Sequence, residues 1–320
     1  MEKLTDIAND QIENLNELAH SLAIKEGEFV ADIIAPGISK PDFVLGAFEH
    51  ASEPAKPVSD ILGQDMMPNY LDTYNKLALE KFQMEDHELR GRLSNNLRAA
   101  FRADGMTDDQ IDARVVNQLV RNLRANYELQ VLEAIGNTSG YGSNLTKNCN
   151  SAKYNATGNP VQDIQDLLNQ MAKNGAPMAT VYIVADPATW SAIRMNSNVK
   201  GTDVNGVNRF YSEDDLAKIV AGPSAHGIVA RQSFNGNFAF AGKVAIFCRP
   251  EIVDGQSECS WRTVYGGMNA SAEPYVYRFS EPGTEHRGYT IGCTLDRKLC
   301  GTGTNASNKQ IWGALCYNCI

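Results

Sequence analysis

The 320-residue chain reads as an α+β protein, and three stretches carry that reading. Residues 106–137 have the apolar spacing and end signals of one long helix, residues 159–223 alternate helix, strand and helix, and from residue 227 onward short strands take over, cut at close intervals by Gly, Asn and Pro. Helices followed by runs of strands are the pattern of an α+β fold, with the late strands expected to return onto the long helix.

In chain order, residues 1–27 carry Ile7, Ile12, Leu15, Leu18, Ala19 and Leu22 in an irregular amphipathic pattern that stops at Glu26 and Gly27, as a leading helix or arm would. The apolar run from Glu28 through Ile33 and Ile34 is closed by Pro36 and predicts an extended strap. Residues 45–70 hold Gly46, Pro54, Pro57, Gly63 and Pro68, with neither helical period nor alternation. Loops of that length are rare inside a compact domain. Fixing its backbone costs on the order of 25 kcal/mol, more than its few apolar side chains return by folding on themselves. It is expected to lie over a neighbouring chain. Residues 77–82 then predict a strand, and 86–97 a short helix or turn.

The long helix is the best-marked element. Thr107 and Gln110 have the spacing of a capping box, and Asp108 and Asp109 put negative charge on the first turn. Val116, Leu119, Val120, Leu123, Tyr127, Val131, Ala134 and Ile135 form one apolar stripe, with Arg114, Arg121, Arg124, Glu128 and Glu133 on the other side. Gly136 and Asn137 predict a left-handed stop, and Gly140, Tyr141 and Gly142 a hinge. Such a helix is about 40 Å long, the length of a spine for the whole molecule.

After a polar stretch at 144–158, Asn159 and Pro160 supply a cap and a first-turn proline for a helix through Ile164, Leu167, Leu168 and Met171, ending at Asn174 and Gly175. Residues 181–184 are a short buried strand. Asp186 and Pro187 repeat the cap signal for a helix through Trp190 and Ile193, and Ser212 with Asp215 opens another that runs to Gly222 and Pro223. Strands are predicted at 227–231, 238–240, 243–248, 259–265, 275–280, 288–294 and 311–317, mostly antiparallel.

Composition limits the function. A hydrophobic content of 43% builds a real core, and a net charge of -9 with only 21% charged residues argues against a protein whose task is to grip phosphates. Residues 1–9 lack a signal-peptide core, and no apolar run approaches a membrane span, so a cytosol-like compartment is expected. There is no phosphate-binding Gly-rich loop, no Gly-x-Ser-x-Gly elbow and no His-Glu-x-x-His. His20, His50, His87, His226 and His286 are scattered without ligand-like neighbours. The acids Asp108, Asp109 and Asp112, like Glu213, Asp214 and Asp215, match helix N-terminal dipoles. Trp190 and Trp261 read as core.

Seven cysteines, an odd number, do not suggest a fixed disulfide framework. Cys316 and Cys319 have C-x-x-C spacing, but in a terminal strand residues three apart face opposite ways, so both are expected to be buried reduced thiols. The sequence thus offers no catalytic, cofactor-binding or metal residues.

The order of pieces, namely the 28–36 run, the Pro-containing excursion, the long helix with Tyr127 and Glu128, the stretch from Tyr154 to Pro160, the 161–175 helix, the 181–184 strand and the Asp186-Pro187 helix, resembles the major capsid proteins of tailed bacteriophages. The resemblance spans nearly the whole chain and rests on element order. It implies the Hong Kong phage-type (HK97-like) capsid fold, also used by encapsulin compartments, with an N-terminal arm and strap (1–44), an extended loop and its return (45–104), a peripheral domain with the spine helix (105–184), an axial domain (185–264) and return strands of the peripheral domain (265–320).

The function so implied is non-enzymatic: self-assembly as hexamers and pentamers into an icosahedral shell around double-stranded DNA. The implied partners are other copies of the chain, portal and scaffolding proteins, decoration proteins in some members, and packaged DNA held non-specifically. The implied location is the virion, after assembly in a host cytoplasm. The leading arm is too short for a built-in scaffold segment, so a separate scaffolding protein is expected. Some members join subunits through a lysine, and Lys56 lies where one could sit. Two alternatives stay open: an encapsulin-like cargo compartment, and a cytosolic α+β enzyme using the acid clusters.

Overall fold

The computed structural model describes residues 29–35, 37–39, 46–48, 80–82, 87–200, 211–234, 236–248, 260–265, 274–279, 288–295, 297–301, 304 and 309–320. The elements are α1 (Val30–Ile34), β1 (Gly37–Ser39), β2 (Gly46–Phe48), β3 (Glu80–Phe82), β4 (Glu88–Ser94), α2 (Asn95–Ala103) and α3 (Asp108–Ile135). They continue with β5 (Thr146–Asn148), α4 (Pro160–Lys173), β6 (Val181–Ala185), α5 (Pro187–Met195), α6 (Glu213–Ala221), β7 (Ala225–Val229), β8 (Ser233–Phe234), β9 (Asn237–Phe238) and β10 (Lys243–Cys248). The last strands are β11 (Trp261–Tyr265), β12 (Tyr275–Phe279), β13 (Gly288–Thr294), β14 (Arg297–Gly301) and β15 (Gly313–Tyr317).

The spine is α3, 28 residues long and so about 42 Å from end to end. Thr107 and Gln110 form the expected reciprocal box: the Thr107 hydroxyl accepts from the Gln110 amide, and the Gln110 side chain accepts from the Thr107 amide at 3.0 Å. Two separate cores share this helix. Its first half contributes Ile111, Val116, Leu119, Val120 and Leu123 to a smaller core with Leu93, Val276, Tyr289, Ile291 and Cys293. Those partners come from the antiparallel sheet β12-β13-β4. Its second half contributes Tyr127, Val131, Leu132 and Ile135 to a larger core built on the sheet β5-β15-β10-β6-β7. Each fully buried Leu, Ile or Val is worth about 1.5–3 kcal/mol, so both ends of α3 are fixed by burial well beyond intrinsic helix propensity.

In the larger sheet β10 is antiparallel to β15 and β6, while the outer pairs β15 with β5 and β6 with β7 are parallel. A third sheet, β1-β11-β14, has β1 parallel and β14 antiparallel to β11. Two ribbons remain: β8 with β9, and β2 with β3, which joins the two ends of the Pro-containing excursion in antiparallel register.

The structure departs from the sequence reading at definable points. The strap predicted at 28–36 contains a helical turn, α1, because Glu128 supplies the acceptor for its free amides. Residues 86–97 contain strand β4 before the start of α2, and β4 survives its charged alternation because Leu93 is buried while Glu88, Arg90 and Arg92 stay exposed. Gly136 closes α3 with φ -86°, not left-handed; it is small because a Cβ would lie 2.8 Å from Lys243 Nζ and 2.9 Å from the Leu132 carbonyl. The predicted hinge at 140–142 is pinned: Gly142 donates to the Gln310 carbonyl, Gln310 donates to the Gly140 carbonyl, and buried Tyr141 donates through its hydroxyl to the Ile135 carbonyl at 2.6 Å. The described strand pairs are mostly antiparallel, as expected, with three parallel exceptions, whereas β14 was hidden by its Arg, Lys and Cys. From the stretch 265–320, β15 lies in the five-stranded sheet between β5 and β10. The arm at 1–27, the excursion at 49–79, Lys56 and the histidines His20, His50 and His286 lie outside the described residues.

Candidate functional site

The clearest built feature is a clamp where the N-terminal segment crosses the middle of the spine. Arg124 and Glu128, expected on the exposed side of the helix, are buried, with 9% and 2% of their surfaces exposed. Glu128 accepts from the backbone amides of Val30 at 3.0 Å and Ala31 at 2.8 Å, acting as an N-cap delivered from another helix. Burial pushes its carboxyl up to about 7, and the two amides and Arg124 pull only partly against that. Arg124 pairs with Asp32 and lies 4.7 Å over the Phe29 ring.

The clamp continues into β11. The Thr263 hydroxyl donates to the Ala35 carbonyl at 2.9 Å and therefore accepts from the Tyr127 hydroxyl at 2.5 Å. Arg297 of β14 covers the Tyr127 ring at 3.9 Å and donates to the Leu123 carbonyl. Residues 29–39 are thus fastened to both the spine and a sheet, immediately before the stretch that leads to β2 and the excursion. The sequence signal for this was the pair Arg124 and Glu128 at helical spacing, which a solvated i,i+4 pair mimics.

The acid clusters are structural. Asp108 is paired with Arg98 at 2.8 Å and with Arg102, whose hydrogen bond holds the Asp108 carboxyl below its usual range. Asp112 is buried, bonded by the Tyr289 hydroxyl and 3.6 Å from Arg278, which itself stacks on Tyr289 at 3.5 Å. Glu213 pairs with Arg194 at 3.1 Å, Asp214 accepts from the Gly227 amide at 2.8 Å, and Asp215 closes the capping box by accepting from the amide of the N-cap Ser212 at 3.2 Å. His226 stacks on Tyr182 at 5.5 Å, and the His87 carbonyl accepts from Leu295. Trp190 is core, its indole donating to the Ile228 carbonyl at 3.0 Å, and Trp261 is half-buried beside the same core.

Two clefts open on the described surface. One, about 380 Å³, runs along the spine between Glu88, Asn126, Gln130 and Arg297; the other, about 540 Å³, is bordered by Tyr154, Asn196, Met195 and Ile320. Neither is lined by Asp108, Asp109, Asp112 or the Glu213 to Asp215 cluster. Among the described residues, no group of three His, Cys, Asp or Glu side chains is arranged to hold a metal ion, and no helix is long and apolar enough to cross a membrane.

The C-x-x-C cysteines are buried free thiols, as expected, but the strand argument behind that expectation does not hold. β15 ends at Tyr317, and Asn318 takes a left-handed conformation with φ 58°, so Cys316 and Cys319 do not face opposite ways. Both are buried with Cys149 in the larger core, where the Cys149 thiol lies 3.6 Å from the Tyr154 hydroxyl and 3.9 Å from an Asp163 carboxylate oxygen. The mutual influence of the three thiols draws Cys149 below its ordinary range and pushes Cys316 and Cys319 above theirs.

No family model matches this sequence, and a search of curated proteins finds no match. Solved structures do match. A phage-related protein from Bordetella bronchiseptica RB50 superposes with a TM-score of 0.68 over 96% of each chain at 12% identity. A virus-like particle from Pyrococcus furiosus gives 0.52 over 95% of this chain and 98% of that one, at 12% identity. The encapsulin of the holo-SrpI complex from Synechococcus elongatus gives 0.50 over 90% of this chain and 86% of that one, at 11% identity. The chain has the α+β fold of Hong Kong phage-type (HK97-like) capsid proteins.

Proposed function

We propose that the chain is a shell subunit, the major capsid protein of a tailed bacteriophage, whose copies associate as hexamers and pentamers into an icosahedral particle around double-stranded DNA. The observation that carries this is the superposition on the phage-related protein over 96% of both chains. Within that reading the spine and its antiparallel sheet form the peripheral domain, the region 185–264 supplies the axial domain, and the paired roots β2 and β3 carry the extended loop toward a neighbouring copy. The clamp of Glu128, Arg124 and Thr263 on residues 29–35 gives arm and loop a fixed point of departure. A net charge of -9 suits a container that packs DNA without gripping it. Portal, scaffolding and decoration proteins are the partners this role requires or permits.

A cargo compartment is the second reading, favoured by the likeness to the encapsulin complex. Expression of the full chain, sizing and negative-stain imaging test shell formation: closed particles or capsomer rings are expected, and a stable 35.0 kDa monomer at high concentration overturns both readings. Nuclease-protected double-stranded DNA in particles assembled with the phage's packaging proteins supports the capsid; particles that hold only a protein cargo support the compartment.

A further inference from the structure

Three of the seven cysteines, distant in sequence, meet in the larger core. Cys149 follows β5, Cys316 lies in β15 and Cys319 follows the left-handed turn at Asn318. Cys149, Cys316 and Cys319 are almost wholly removed from solvent, at 2%, 0% and 0% exposed. A buried thiol usually has apolar neighbours; these lie where β5 and the end of β15 pair, with the Tyr154 hydroxyl and an Asp163 carboxylate oxygen also within 3.6 and 3.9 Å of the Cys149 sulfur.

The strand register selects a pair. β5 and β15 run parallel with Lys147 opposite Cys316 and Asn148 opposite Tyr317. Cys149 extends this ladder, its amide donating to the Tyr317 carbonyl at 2.9 Å. Cys316 therefore sits two residues back along the partner strand, a diagonal of about 8 Å between Cα atoms, beyond the span a disulfide bridges without backbone movement. Asn318 is the residue beside Cys149, and its positive φ turns the next residue back toward the sheet. Cys319 is held there at both ends of its backbone: its amide donates to the Gly242 carbonyl at 2.9 Å, and its carbonyl accepts from the Tyr154 amide at 2.8 Å. Tyr154 also covers the Cys149 sulfur.

We propose that Cys149 and Cys319 are an oxidation site, converted by a hydroperoxide into a disulfide that locks the β5 edge to the turn after β15. The oxidant class follows from the setting. The cleft of about 540 Å³ is lined by Tyr154, whose hydroxyl is 3.6 Å from the Cys149 sulfur, and by Ile320, which follows Cys319, and thiols only 2% and 0% exposed call for the smallest two-electron oxidant, a hydroperoxide. The Cys149 thiolate attacks one peroxide oxygen, the O–O bond breaks, and the departing hydroxide takes a proton to become water, leaving a sulfenic acid. The Cys319 sulfur then attacks the Cys149 sulfur; the S–O bond breaks, and the leaving hydroxide takes the Cys319 proton as a second water. Two thiols lose two electrons, and one peroxide becomes two waters. Cys316 is left as the third, reduced thiol. The ring so closed contains β6, β7, β10 and β15, four of the five strands of the larger sheet.

The test uses the full chain, folded, treated with hydrogen peroxide, then alkylated in denaturant and digested without reduction. Peptide mapping is expected to show the Cys149 peptide joined to the Cys319 peptide, two hydrogens lighter and separable by a reductant, with Cys248 and Cys293 still alkylated. Cys316→Ser retains the link; Cys149→Ser and Cys319→Ser lose it. Oxidised wild type is expected to melt roughly 5 °C or more above the reduced form, a difference absent in Cys149→Ser. Free thiols throughout, a link confined to Cys316 and Cys319, a link from Cys149 to Cys316, or sulfinic acid without any link overturns the proposal. Because mapping is done on wild type, the outcome does not depend on a variant folding and is independent of whether the chain forms shells.

Discussion

Glu128 is where a single side chain does most to the fold. A carboxyl raised by burial to about 7, from 4.5 in an unfolded chain, binds its proton more tightly when folded. Its contribution therefore favours folding most below about pH 4.5 and fades as pH rises to 7, by about 3 kcal/mol in all. Glu128→Gln removes that titration while keeping an acceptor for an α1 amide. The stability difference between wild type and Glu128→Gln, read from urea denaturation, is expected to shift by about 2 to 3 kcal/mol against wild type between pH 5 and pH 8; a constant difference would mean that the carboxyl does not titrate there. Two glycines make a sharper contrast. A Cβ on Gly227 would lie 2.3 Å from the Glu213 carbonyl oxygen, a backbone atom, whereas one on Gly140 meets nothing within 4 Å. Gly227→Ala is expected to lose about 3 kcal/mol in thermal or chemical denaturation and Gly140→Ala less than about 0.5 kcal/mol.

Among the elements, α3 is the one whose interruption should be most informative. Ala125 sits between Leu123, the last residue it gives to the smaller core, and Tyr127, the first it gives to the larger one. Ala125→Pro removes an interior hydrogen bond at a cost of about 3 kcal/mol or more and separates the cores mechanically. All three tryptophans, Trp190, Trp261 and Trp312, lie in or against the larger core. Tryptophan fluorescence and far-UV circular dichroism are therefore expected to report coincident unfolding in wild type and separated transitions in the variant. The caps of α3, α4, α5 and α6 were readable from sequence because Thr107, Asn159, Asp186 and Ser212 act on amides two or three residues away. What escaped reading depends on distant partners: α1 forms on the Glu128 carboxylate, and the cysteine trio exists because β5 and β15, far apart in the chain, pair in parallel.

At the scale of the whole molecule, the proposed shell gives the excursion between β2 and β3 its task on a neighbouring copy. Replacing residues 49–79 with a short Asn-Gly turn is expected to leave a chain with native circular dichroism and an intact α3, because β2 and β3 already pair at its two ends and α3 is held by two cores of its own, yet to prevent closed particles by negative stain. Closed particles from such a deletion would show that copies hold one another by other surfaces. The overall plan was legible in the order of its pieces, while the sharing of strands between sheets was not, since β15 reads the same whichever sheet receives it.

A helix of 28 residues with a body of packed side chains at each end behaves as a lever with no joint. A small tilt at one end sweeps the other through a proportionally larger arc, and nothing between Leu123 and Tyr127 absorbs it. In the proposed shell, copies placed in surroundings of unequal curvature must accommodate the mismatch at their mutual seams, so variants that tune particle diameter are to be sought there and not within the rod.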